Sequence, residues 1–183
     1  DMNEPLASAA GNGLEVRNAV DFLTGTHQDA RLKEVTLALC AELALMTGKA
    51  TSPEHARAQV EGALDSGQAA EHFGRMVTAL GGPADFIDNM DMHLSSAPII
   101  RDVFAAGQGT VSAIDTRGVG MAVVALGGGR ATPTDSIDHR VGFDRLVGLG
   151  TAIDPKTPIA RIHAADESSA ADAEKRLRAA YGF

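Results

Sequence analysis

"TRGVGMAVVALGGGRATPTDSIDHRVGF", residues 116–143, decides how the rest of the chain is read. Val119, Ala122, Val123 and Leu126 fall at i, i+3, i+4 and i+7, the spacing of one helical face. Asp115 or Thr116 can cap its start. The glycines of "LGGGR" therefore follow a helix. A phosphate-gripping loop needs the opposite order: strand, glycines, then a helix whose free N–H groups face the anion. At a helix C-terminus the carbonyls point outward and the dipole repels phosphate. No Lys-Ser or Lys-Thr pair follows, so the run reads as a left-handed cap and a loop. Asp135, Ser136, Asp138 and His139 come next. These residue types suit turns and caps, and a Ser-His-Asp triad is assembled in space rather than by adjacency.

Flanking segments alternate in the manner of strands. "APIIRDVFA" (97–105) and "GTVSAID" (109–115) read as two short strands of a hairpin around "AGQG". "FDRLVGLG" (143–150) and "PIARIHA" (158–164) read as two more, joined by "TAIDPKT". A last helix begins near Asp166, with Ala170, Ala173, Leu177 and Ala180 on one face.

Before residue 95 the pattern is helical. Leu14, Ala19 or Val20, and Leu23 mark one helix, which Gly25 stops. Leu32, Val35, Leu39, Leu43 and Met46 mark a second, ended by Gly48. Ser52 caps a third with Pro53 at its first position, and Val60, Ala63 and Leu64 form its stripe. Phe73, Met76, Val77 and Leu80 mark a fourth, closed by Gly81, Gly82 and Pro83. Such a helical layer needs a partner to cover it. The expected division is 1–94, mostly helical, and 95–183, mixed α and β.

The 183 residues are 44% hydrophobic, enough to bury a core. Aromatic residues make up only 4% and net charge is -8, with a pI near 5.1. Those values argue against base stacking and against a nucleic-acid partner. The single cysteine, Cys40, lies in an apolar helical run and can build neither a disulfide framework nor a paired-cysteine zinc site. His27, His55, His72, His93 and His163 show no metal-ligand spacing. No apolar run approaches the roughly 18 residues that span a bilayer. The start, "DMNEPLASAAGNG", lacks the basic and apolar regions of a signal peptide, so a cytoplasmic location is expected. In that start Asp1 and Asn3 precede small residues and a helix, a place where α/β enzymes hold ligands.

"DMNEPLASAAGNGLEVRNAVDFLTG", "LALCAELALMTGKA", "GQAAEHFGRMVTALGGPADF" and "VSAIDTRGVGMAVVALGGGRATPTDSIDHRVGF" together resemble the C-terminal part of the thymidine and pyrimidine-nucleoside phosphorylases. The resemblance covers essentially the whole chain, and its wording leans toward the thymidine branch. It implies a pentosyltransferase that reversibly converts thymidine and phosphate to thymine and 2-deoxyribose 1-phosphate. Inorganic phosphate would be a co-substrate, and no other cofactor is implied. It implies the helical part of a large α/β domain followed by an α/β-hammerhead domain, working as a homodimer. The family's phosphate loop, catalytic histidine and base-holding residues lie before "DMNEPL". The chain thus reads as a C-terminal portion without catalytic residues, inactive alone, in which Asp1 and Asn3 brace the phosphate loop. The family's cation site implies backbone carbonyls of Leu6 and Ala9, but Asn18 stands where the family has Glu, which removes the anionic ligand. A relative that also accepts uridine is the neighbouring reading. A reading of another class is a non-catalytic carrier or interaction module, with Lys156 at a turn as in biotinyl or lipoyl domains, although Pro155 and Thr157 are not the flanking residues of such carriers.

Overall fold

A computed structural model of the chain describes residues 2–183. Two compact units emerge, one of Arg17–His93 and one that joins the N-terminal residues through Val16 to Leu94–Phe183. The sequence pattern places a boundary near residue 95, and the chain crosses between units at His93/Leu94. It also crosses at Val16/Arg17, which apolar periodicity does not mark because helix α1 (Asn12–Thr24) continues through that point.

The helical unit holds the remainder of α1, then α2 (Ala30–Met46), α3 (Pro53–Asp65), α4 (Gln68–Ala79) and the short α5 (Met90–His93). The capping chemistry is as the sequence indicates. The Ser52 side chain accepts from the His55 N–H, with Pro53 at the first helical position. Gly25 and Gly48 have positive φ just past their helices. The apolar stripes behave differently. On α2 the buried residue is Leu37, whereas Leu39, Leu43 and Met46 are largely exposed. On α4 the buried residue is Ala70, and Leu80 is 81% exposed. Helical periodicity identified both helices, but the small residue, not the large ones, is what α4 buries.

The second unit is α+β. Strand β1 (Ile99–Phe104) does not form a hairpin with the residues after it. It pairs antiparallel with β6 (Pro158–Ala164), from Ile99 opposite Ala164 to Phe104 opposite Pro158. β2 (Gly109–Thr110) pairs instead with β5 (Ala152–Ile153), and β3 (Ala113–Ile114) with β7 (Tyr181–Gly182). The expected 97–115 hairpin is therefore wrong: local turn chemistry is overridden by pairing with distant strands. β4 (Gly142–Asp144) lies on the other side of β6, so the main sheet runs β1-β6-β4.

Two helices complete this unit. α6 (Thr116–Ala125) is capped by Asp115, whose carboxylate accepts from the Gly118 N–H at 2.9 Å. α7 (Glu167–Ala180) starts with a reciprocal capping box between Asp166 and Ser169. Val119, Ala122, Val123 and Leu126 of the α6 region and Ala170, Ala173, Leu177 and Ala180 of α7 are all buried, in one core with Val103, Phe143, Ile159 and Ile162. Arg101, beside Ile162 in the register, reaches Glu167 and Glu174 of α7, both at 3.2 Å. That contact fixes which sheet face α7 covers.

Candidate functional site

The glycine run does what a helix end requires. The Gly127 N–H donates to Val124 O at 3.0 Å and the Gly128 N–H to Val123 O at 2.9 Å. With Gly127 at φ 90° this is a Schellman motif closing α6. A side chain at Gly128 would sit 2.8 Å from Val123 Cγ1. The loop is then pinned back, with the Asp138 N–H donating to Gly127 O at 2.9 Å.

The polar cluster after the glycines organises its own loop. Asp135 accepts from the N–H groups of Ala131 and Thr132 and from the Thr132 hydroxyl. The Thr132 hydroxyl and amide, in the main, hold the Asp135 carboxyl below its ordinary range. Asp138 is similarly depressed, chiefly by Arg140, which bonds both its oxygens. His139 contributes its carbonyl, which accepts from the Gly13 N–H at 2.9 Å. These groups brace a turn and the start of α1.

The N-terminal residues are bound to the same unit. Ala10 and Phe143 exchange both backbone hydrogen bonds, at 2.9 and 2.8 Å. The Leu146 N–H donates to Ser8 O at 3.0 Å, and the Leu149 N–H to the Glu4 carboxylate at 2.7 Å. Residues 2–9 form no strand. Asp1 lies outside the described residues. Asn3 is exposed. Leu6 and Ala9 lie in this unit, Leu6 half exposed and Ala9 buried. Asn18 lies in the helical unit, with Nδ2 3.4 Å from Asp29 Oδ2. Among the described residues no group of three or more His, Cys, Asp or Glu could hold a metal ion.

On the sheet face away from α7, β4 and β6 bring Asp144, Arg161 and His163 together. Arg161 grips both Asp144 oxygens. His163 is buried, with Nε2 3.2 Å from Asp144 Oδ1 but not aligned for a hydrogen bond. Burial opposes ionisation of Asp144, yet His163 and Arg161 together outweigh it and bring its pKa down to about 2. Nearby, the buried Tyr181 hydroxyl donates to Val147 O at 2.9 Å. Burial first, and the Glu4 charge second, push that phenol above its ordinary range. Glu4, the Asp144 cluster and the Ala10–Phe143 pairing all escape sequence reading, since each joins residues far apart in the chain.

Lys156 sits in a turn whose amides are held by Asp154 Oδ1. The strands on either side, β5 and β6, belong to different sheets, so this turn is not the tip of a carrier-type hairpin. In the helical unit, Ala70, Gly74, Thr78, Ala84 and Ile87 line an open groove of about 560 Å³ with Glu71, Arg75 and Asp88 at its edges.

The α+β unit thus combines the capped helices α6 and α7 with polar loops whose carboxylates bond within the loop. Residues 110–183 match the family model described as the pyrimidine nucleoside phosphorylase C-terminal domain. This stretch is therefore similar to the C-terminal domain of the pyrimidine nucleoside phosphorylases.

Proposed function

We propose that this chain is part of a thymidine phosphorylase, in which it supplies framework and cleft wall rather than reacting groups. The match of residues 110–183 to the pyrimidine nucleoside phosphorylase C-terminal domain carries this reading. In phosphorolysis the glycosidic bond breaks as positive charge builds on the sugar. A phosphate anion held against that charge, and groups that neutralise the departing base, lower the barrier. Closing the cleft brings nucleoside and phosphate together and excludes water. Residues from about 95 onward would form the α/β-hammerhead domain, and residues 1–94 the helical part of the large domain. The intact enzyme would act as a cytoplasmic homodimer. Asn3 would brace the phosphate loop through main-chain bonds, which suits its short polar side chain. The Asp135 and Asp138 clusters support a framework role, because their carboxylates are engaged by Thr132 and Arg140. A cation at Leu6 and Ala9 would bind weakly, since Asn18 offers no charge and carbonyls alone are poor ligands.

The broader family description favours a second reading, an enzyme that also accepts uridine. One experiment addresses both. The corresponding C-terminal portion of an active thymidine phosphorylase is replaced by this chain, and kcat/KM is measured for thymidine and uridine. Restored phosphorolysis that favours thymidine supports the proposal, and equal use of both supports the broader enzyme. A folded chimaera that cleaves neither nucleoside overturns the family role.

A further inference from the structure

We propose that the edge of β4 with the 146–149 loop is a docking site for a bent segment that bears a carboxylate and pairs with the edge at one residue. Its resident occupant is residues 4–13 of this chain, held as a separable strap. This inference is independent of the reading above.

The contacts have the composition of a bound peptide. Affinity comes from main chain: the paired Ala10 and Phe143, the Ser8 carbonyl on the Leu146 N–H, and the Gly13 N–H on the His139 carbonyl. Strand addition to a sheet edge works in this way, with side chains supplying selectivity. Here the selective group is the Glu4 carboxylate on the Leu149 N–H, a charge-assisted bond. Asn12 adds one more, its Nδ2 donating to Gly128 O at 2.7 Å. The partners lie more than 100 positions apart in sequence, as the Glu4–Leu149 separation of 145 illustrates. Register is set by two glycines that touch. Gly11 has φ 134° and Gly142 has φ 147°. A Cβ at Gly142 would lie 2.3 Å from Ala10 O, and one at Gly11 would lie 2.6 Å from Val141 O. The docked segment must therefore present glycine opposite glycine.

The test uses amide hydrogen exchange on the full chain. Gly11→Ala should speed exchange at Phe143, Leu146 and Leu149, while Ile162 and Leu177 stay protected. Adding a synthetic peptide of residues 2–13 at millimolar concentration should restore protection at Leu146 and Leu149. The same peptide with Glu4→Gln should restore less. In the otherwise unaltered chain, Glu4→Gln should speed exchange at Leu149 about tenfold, a loss near that of one charge-assisted bond. Three results would overturn the proposal: no restoration by the peptide, loss of protection at Ile162 and Leu177 in Gly11→Ala, or unchanged exchange at Leu149 in Glu4→Gln. Dimer formation by Gly11→Ala, read by light scattering, would also overturn it, because the freed edge would then prefer a second copy.

Discussion

Helices α7 and α2 carry equally regular apolar positions and meet opposite ends. In the α+β unit Ala170, Ala173, Leu177 and Ala180 all enter the core, and none is more than 6% exposed. In the helical unit Leu39, Leu43 and Met46 stand 59–80% exposed. Stability at a given residue follows burial, so the same substitution chemistry should act very differently in the two units.

The largest expected effect is Val123→Asp on α6. It places an uncompensated charge in the core and should cost about 3 kcal/mol or more, read as a fall in urea midpoint. A midpoint equal to the parent's would show that this helix face is not core. Gly142→Ala should follow, at about 1–3 kcal/mol, because alanine must take a positive φ against the Ala10 carbonyl.

Acid should weaken the α+β unit next. The folded-state pKa of Asp144 is depressed to about 2 from an ordinary 3.8. Its contribution is therefore present above pH 4 and is lost as pH falls through the window from about 4 to about 2. It amounts to at most ~2 kcal/mol. A urea midpoint followed from pH 5 to pH 2 should fall more steeply for the parent than for Asp144→Asn, and parallel curves would remove Asp144 from the account. Asp166→Ala, which deletes the α7 cap, should lower the urea midpoint by less than Gly142→Ala does. The smallest effect belongs to the helical unit: Leu43→Asp should change stability by less than about 0.5 kcal/mol. A loss comparable to Val123→Asp would mean that the exposed α2 stripe is covered in solution.

Sequence revealed those parts of the molecule whose causes are local. The faces of α6 and α7, the Asp115 and Asp166 caps and the glycine stop at Gly127 each depend on residues within one or two turns. The pairing of β1 with β6 does not, because Ile99 meets Ala164 across 65 positions while "AGQG" offers a nearby turn. Burial on α2 is likewise a tertiary fact that helical periodicity cannot supply. At the candidate site, reading "LGGGR" as a helix end needed only the order of helix and glycines. The Glu4–Leu149 bond, the Gly11–Gly142 contact and the Asp144 cluster had no sequence signal, since no spacing links residues that meet only through the fold.

The framework role is tested most directly by incubating the purified 183-residue chain with thymidine and phosphate and measuring thymine. The account predicts no release above the buffer control from chain whose circular dichroism and melting show it folded. Turnover that scales with the concentration of the chain would contradict it, and would place reacting groups among these residues.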